Sequence, residues 1–513
     1  MSLPNGLRGA RHYLYEWVFR VSILQKLNNP VGYAFFILIA VVVAYAIASQ
    51  GFVAGALLLG AIYGLPVLAL CLSNSKAGFL ITLFFSSFIF LINRILGQEL
   101  PLGIAREVLF LAIFLGIYVR KSAFNDKVIN PAKNPITFLV FLWTLYLLVQ
   151  AFNPNGVWDA WLFGARGIIG FAITYAVLVY VFDSLDFVSL FTKFWLFIAL
   201  LAALYGLYQE YVGLPSYDLK WVTSNELRIG LNFIQGRWRK WSFMSDIAVF
   251  GLFMAYAGIV CFVLTLGPFH YKKKLLLFSS GCLMFLSMIY SGNRTAFAIV
   301  PVGFFFYVIM TLKQTRTLLI GAAALLVFVG ILFGPVYNPT INRLRSSFFP
   351  GDDPSMNVRD INRARIQPYI YHHPIGGGLN TSGILGDRFA PGHQLAGFPP
   401  DSGYLETALE VGWVGLIIQF ATYITIMSVG ITNYRRAKNP KVKIYYLAYL
   451  SGFFALTISL YAKKAVFQLP LGLIFYAVFA LVSRMIEFDG TPEKEGEEDT
   501  VPNFDRLPAR ISD

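Results

Sequence analysis

Ser245-Asp-Ile-Ala-Val-Phe-Gly-Leu-Phe-Met-Ala-Tyr-Ala-Gly-Ile-Val-Cys-Phe-Val-Leu-Thr-Leu266 carries its one charge, Asp246, at the second position and is otherwise nearly all apolar. About 20 apolar residues in a helix cross a hydrocarbon core of about 30 Å. Backbone polar groups find no water in lipid, so only helices and closed barrels span it. The run is continuous rather than alternating, which selects a helix over a barrel strand.

Comparable runs lie on both sides. Reading outward gives spans at 31–49, 52–73, 77–93, 104–119, 136–153, 167–183, 190–212, 275–291, 295–312, 317–337, 402–430, 443–462 and 465–486. Composition agrees. The 513 residues are 57% hydrophobic and 13% charged, with mean hydropathy +0.63, whereas soluble domains have about 45–50% apolar and about 25% charged residues. The sequence therefore predicts an all-α polytopic membrane protein of about 12–14 transmembrane helices. Residues 1–486 form the membrane domain and 487–513 a separate tail, whose acidic run Glu493–Asp499 reads as disordered and solvated. The basic start (Arg8, Arg11, Arg20, Lys26) lacks a small-residue cleavage site, so no cleavable signal peptide is expected. Cys71, Cys261 and Cys282 sit inside apolar runs without a CxxC or His-rich context, and read as small buried hydrophobes rather than metal ligands.

Orientation follows from Lys and Arg in the short loops. With the amino terminus in the cytoplasm, the inside loops Arg120–Pro135, Lys272–Lys274, Lys313–Arg316 and Tyr434–Lys443 are all basic, and both termini are cytoplasmic. Two long segments then lie outside, 213–242 and 338–400. Both are rich in arginine against the usual bias: Arg228, Arg237 and Arg239 in the first, Arg343, Arg345, Arg359, Arg363, Arg365 and Arg388 in the second. Arg166 and Arg294 stand at the outer ends of other spans. Snorkelling to lipid phosphate accounts for single residues of this kind. As a set they suit an anion, because the guanidinium fork matches phosphate oxygens.

The stretch 357–415 carries the most information. It opens on Asn357-Val-Arg-Asp-Ile-Asn-Arg363, passes His372-His-Pro-Ile-Gly-Gly-Gly-Leu379 and ends on Pro399-Pro-Asp-Ser-Gly-Tyr-Leu-Glu-Thr-Ala-Leu-Glu-Val-Gly-Trp-Val-Gly415. The glycine run allows close backbone approach to a ligand or an ordinary turn. Asp401 and Ser402 suit the N-cap of the following helix. Gly412 and Gly415, spaced i, i+3 on that helix, suit close packing. His372, His373 and His393 read as exposed loop histidines or as a source of imidazole.

These motifs resemble the O-antigen ligase and polymerase family of bacterial inner-membrane glycosyltransferases. Asp401-Ser402, nine residues, Gly412, two residues and Gly415 follow that family's spacing, with Asp401 where members usually have His. Arg359 stands ahead of Pro374 and the Gly376–Gly378 turn as a family arginine does. Ser291-Gly-Asn-Arg294 is similar to the element that opens a family span. Arg239, ahead of Ser242, is similar to a further arginine, with Arg237 as a competitor. The resemblance covers residues 230–430 and implies a multi-spanning (GT-C type) glycosyltransferase fold and metal-independent transfer without a cofactor. The implied donor is a glycan on undecaprenyl diphosphate, and the acceptor is another glycan or lipid A-core. Membrane lipids are expected partners and nucleic acid is not. Asp401, Arg294 and Arg359 are then the expected catalytic residues, and Arg239, Arg237, Arg166, Arg363, His393 and Tyr404 the expected substrate-binding ones. An Asp with its ordinary pKa of about 3.9 is a weaker base than a His at about 6.5, so Asp401 is expected to orient or accept from the acceptor hydroxyl, with a loop histidine such as His393 as the alternative base. Members with Asp here look more like polysaccharide polymerases than lipid A-core ligases. Protein oligosaccharyltransfer is a third acceptor choice. A lipid-linked oligosaccharide transporter is the competing class, but transporters place functional charge near the midplane. Here Lys193, Asp246, Glu406 and Glu410 lie towards span ends.

Overall fold

The computed structural model describes residues 30–50, 52–97, 100–124, 134–234, 236–313 and 354–490, with scattered positions between 319 and 348. The basic start, part of the Arg120–Pro135 loop, most of the expected span 317–337 and nearly all of the acidic tail lie outside the described residues, as do Arg343 and the side chain of Arg359.

The protein is an all-α polytopic membrane protein. Ten helices among the described residues are long and apolar enough to cross a membrane. The chain divides into two compact units, Met1–Asn74 and Ser75–Asp513. In the first, helices α1 (Pro30–Gln50) and α2 (Phe52–Ser73) pack on each other. The second contains α3 (Ser75–Leu96), α4 (Leu102–Phe124), α5 (Pro135–Val149), α6 (Trp158–Val181) and α7 (Leu185–Tyr211). A connecting region follows, with short helices α8 (Ser216–Thr223) and α9 (Glu226–Asn232) and the two-residue strands β1 (Phe233–Ile234) and β2 (Arg237–Trp238). After it come α10 (Ile247–Thr265), α11 (Tyr271–Ser291) and α12 (Arg294–Met310). The last part holds α13 (Pro354–His372), α14 (Gly383–Phe389), α15 (Gly403–Glu410), α16 (Gly412–Arg436), α17 (Pro440–Ser459) and α18 (Leu471–Arg484).

Helix α10, the run quoted first, is the centre of this unit: 94% of its most apolar window is buried, against 22% for the helix that includes α5. It packs on α11, α12 and α17. Glycine makes the approach close, since a Cβ on Gly251 would stand 2.7 Å from Ser291 Oγ and one on Gly303 the same distance from Ile259 Cδ1. Between membrane helices such packing replaces the hydrophobic drive that lipid removes. Cys71 and Cys261 are buried as expected, but Cys282 is exposed on the flank of α11. An apolar position in a membrane helix faces lipid as readily as protein, so apolarity alone does not predict burial there.

The expected helix 402–430 is two helices. α15 ends at Glu410, and Gly412, at φ +69°, breaks the axis where α16 begins. Gly412 is therefore a joint rather than a packing position within one helix. Gly415 does pack, with Tyr146 of α5 3.2 Å from where its Cβ would be.

Candidate functional site

Pro374–Gly378 and Leu409–Gly412 are held backbone on backbone. The Gly377 N–H donates to the Leu409 carbonyl and the Gly378 N–H to the Glu410 carbonyl, each at 2.8 Å. Gly376 at φ +76° and Gly412 at φ +69° occupy the left-handed region that glycine enters without steric cost. A Cβ on Gly376 would lie 2.5 Å from the Glu410 carbonyl, and one on Gly412 would press on the Pro374 carbonyl. Asn153, just beyond α5, donates to the carbonyls of Ile375 and Gly376, both at 3.1 Å. Tyr146 of α5 donates to the Val411 carbonyl at 2.6 Å. The glycine turn and the helix joint thus form one rigid unit braced from α5.

That unit fixes Glu410, which is only 7% exposed. Its Oε1 accepts from Ser382 Oγ at 2.5 Å and its Oε2 from the Asn380 N–H at 2.9 Å. Burial, followed by the charge of Glu406, pushes its carboxyl up to about 7. Glu406, one helical turn earlier, accepts from Lys464 Nζ at 2.5 Å. Glu406, Thr407, Glu410, Lys464, Gln468 and Trp143 are among the residues lining a cavity of about 270 Å³. A second cavity of about 380 Å³ shares Trp143, Leu147, Leu379, Thr407 and Phe467 with it and runs among α5, α6, α16 and α18, between aromatic rings such as Phe171 and Tyr476. The first cavity offers carboxylates, an ammonium, a carboxamide and a hydroxyl beside an indole, a lining suited to a polyhydroxylated ligand.

Among the described residues, the expected site residues are not part of the lining of either cavity, though Tyr404 shares α15 with Glu406 and Glu410. Tyr404, on α15, donates to the Thr457 carbonyl at 2.7 Å and stacks on Phe420. Arg363 donates to Tyr461 Oη at 2.9 Å, with its guanidinium over that ring. Ser402, rather than Asp401, caps α15 by accepting from the Leu405 N–H, and Asp401 is the residue before the cap. His393 lies against Gly377, its Cε1 2.8 Å from where a Cβ would be. Its Nδ1 accepts from the Leu395 N–H at 3.1 Å, so Nε2 carries the proton and donates to the Asn155 carbonyl at 3.1 Å. Burial lowers its pKa.

The other arginines stand elsewhere. Arg239 directs Nε to the Ser291 carbonyl at 2.9 Å and Nη2 to the Gly292 carbonyl at 2.8 Å. Helix C-termini leave such carbonyls without partners and favour cations. Arg294, half-buried, opens α12 immediately after its N-cap Asn293. Arg237 is exposed on β2. Arg166 pairs with Glu107 at 3.2 Å and lies over Phe163, which stacks on Phe389 of α14. The Arg294 region meets the cleft through the start of α10 and the residues just before it. There Asn293 Nδ2 donates to the Ala248 carbonyl at 3.2 Å, and Ser245 donates to Gln468 Oε1 at 2.7 Å.

Sequence reasoning did not single out Glu410, Ser382 or Lys464 as site residues. For Glu410 the signal was present: two carboxylates at i, i+4 in an apolar run are costly unless they have a use. Ser382 and Lys464 carry no local signal. Among the described residues, no three His, Cys, Asp or Glu side chains cluster in a way that holds a metal ion.

Residues 280–420 match the family model described as O-antigen ligase. The matched interval contains Arg294, the glycine turn, Asp401 and the Gly412 joint. No curated protein matches the chain.

Proposed function

We infer that this chain, which belongs to the O-antigen ligase/polymerase family of glycan-transferring membrane proteins, moves a glycan from undecaprenyl diphosphate to an acceptor hydroxyl at the outer face of the bacterial inner membrane. The acceptor is a second lipid-linked repeat, so the product is polymeric O-antigen or exopolysaccharide. The observation that carries this reading is the cleft beside the glycine turn and the Gly412 joint, with carboxylates at its wall and an apolar cavity adjoining it.

The acceptor oxygen attacks the anomeric carbon while the bond from that carbon to the diphosphate oxygen breaks, and its electron pair leaves with the lipid diphosphate. Arg294 and Arg359 neutralise the charge growing on that leaving group, which is transition-state stabilisation by fixed charge. Arg239 holds the end of α11 beside Arg294. Asp401 orients the acceptor, and Arg363 and Tyr404 help to bind it. No metal is assigned a part in the transfer.

The glycan phenotype of a deletion strain tests the reading. Loss of polymer with single repeats still capped on lipid A is expected. Full-length polymer accumulating on undecaprenyl diphosphate would make the chain a ligase. Arg294→Ala and Arg359→Ala should each abolish polymer with normal membrane abundance, and Lys should rescue poorly because a point charge cannot reproduce the fork. Full activity in the double Ala variant would remove both from the mechanism. Orientation is tested at Ile384, which is 80% exposed: Ile384→Cys in intact spheroplasts should react with an impermeant thiol reagent, and protection there would reverse the topology.

A further inference from the structure

We propose that Glu410 takes the proton from the acceptor hydroxyl, in the cleft it shares with Glu406, Thr407, Lys464 and Gln468; the assignment rests on the transferase reading above. The cleft has two carboxylates on its wall, and they differ in their partners. Glu406 is held by Lys464 Nζ at 2.5 Å, so one of its oxygens is already engaged by a cation. Glu410 accepts from three neutral donors, the Ser382 hydroxyl, the Ser382 N–H and the Asn380 N–H. A carboxylate has about four acceptor sites, so these bonds hold it in place and leave an acceptor site for a ligand. The Glu410 carbonyl is itself pinned by the Gly378 N–H at 2.8 Å, so the carboxylate sits on a rigid joint.

The imidazole of His393 is one of the bases the sequence offered, and both its nitrogens are bonded to backbone, at Leu395 and Asn155. In the transfer, the acceptor O–H bond breaks as the new bond to the anomeric carbon forms. The proton passes to Glu410, the lipid diphosphate leaves with the electron pair of the old bond, and Glu410 loses the proton to solvent through the cleft before the next cycle. Burial raises the proton affinity of Glu410, and a base is most effective when its pKa lies near the working pH. The charged groups facing it are Glu406 on its own helix, which raises that affinity, and Lys464 on the connection after α17, which lowers it. The 380–382 turn and the α5 side of the cleft present uncharged groups.

The experiment is a pH–rate profile of the full-length protein in detergent, with the undecaprenyl-diphosphate-linked repeat unit from a strain lacking this chain as donor and acceptor. The wild-type rate should fall as pH drops through neutrality. Glu410→Gln should lose about 10²–10⁴ in rate, the usual contribution of a general base. Ser382→Ala removes a bond to the carboxylate and should move the acid limb to higher pH, as should Lys464→Met. Glu406→Gln removes a like charge and should move it lower. A purely structural Glu410 predicts reduced rates with all acid limbs coincident, and that result overturns the proposal, as does wild-type turnover in Glu410→Gln. If Glu410→Gln does not fold, the limbs of the other three variants decide. Transfer by the wild type with unmoved limbs overturns only the role of Glu410. No transfer from this donor by the wild type overturns the transferase reading and this proposal together.

Discussion

Around α8 and the β1–β2 hairpin, Arg94, Arg239 and Lys240 are turned on the protein itself, whereas around the glycine turn charged groups line a cavity. Arg94, on α3, has Nε 3.0 Å from Asp218 Oδ1 and donates to the carbonyls of Ser242 and Met244 at 2.7 and 2.9 Å. Asp218 also accepts from Tyr205 and Gln209, both at 2.8 Å. Lys240 pairs with Glu210 at 3.3 Å, and Arg239 caps the end of α11. In the other region the close contacts are made by backbone, because Gly376, Gly378 and Gly412 bring chain against chain. Side chains such as Glu406, Lys464 and Gln468 are thereby left to the cleft. The charged groups of these two regions therefore form two populations, braces and cavity-lining groups, and neighbours rather than composition separate them.

The hardest way to break this contrast is to remove a brace. Arg94→Ala leaves Asp218 as an unpaired charge at a site where both side chains are at most 2% exposed. Breaking a buried pair on one side costs about 3–5 kcal/mol, so the variant should be nearly absent from the membrane or should melt far below the wild type. Normal abundance and melting temperature would show that the α8 region is not braced by this pair.

A second test acts on the joint. Gly412→Ala forces a side chain into left-handed backbone, which costs about 1–2 kcal/mol, and presses a methyl on the Pro374 carbonyl. Gly392→Ala is the control, since nothing lies within 4 Å of its added Cβ. The first should lose turnover and some thermal stability and the second neither. Equal activity in both would mean that the turn and the joint need not touch.

The arginines sharpen the comparison further. Arg239→Ala gives up bonds from a charged donor to the Ser291 and Gly292 carbonyls, each contributing about 1.5–3 kcal/mol at most. It should lower the melting temperature, with activity falling alongside. Arg294→Ala should lose activity out of proportion to any fall in melting temperature. An Arg239→Ala protein as stable as wild type but inactive would move Arg239 from brace to ligand contact.

Much of the membrane architecture was legible because length and continuous apolarity decide it: the run 245–266 became the central helix α10. The break at Gly412 was not legible, since glycine in an apolar run reads equally as packing or as a hinge. Its left-handed φ depends on Pro374, 38 residues earlier, coming up against it. Part of the site was visible for the same reason it was misjudged. Glu406 and Glu410 stand out within an apolar segment, yet spacing alone does not say that Lys464 meets one and Ser382 the other. Those partners arrive from 58 and 28 residues away in sequence, beyond the reach of any local pattern.

The smallest expected effect is at His393. Its Nδ1 accepts from the N–H two residues on, a bond that an Asn side chain makes from the same position in an Asx-turn. His393→Asn should keep that bond and lose only the one to the Asn155 carbonyl, at a net cost of about 0.5–1.5 kcal/mol. Turnover should therefore fall far less than the roughly 10²–10⁴ expected on removing a general base. The pH dependence carries a second, independent signature. Because folding lowers the pKa of His393 below its ordinary 6.5, the unfolded chain binds the proton more readily, and stability drops as pH falls from about 6.5 towards the folded value. His393→Asn has no proton to bind, so its melting temperature should lose less than the wild type's over that interval. A His393→Asn protein that folds normally but has lost most of its turnover would return the imidazole to the mechanism and set the exposed loop, rather than the buried wall of the cleft, as the place where the acceptor is activated.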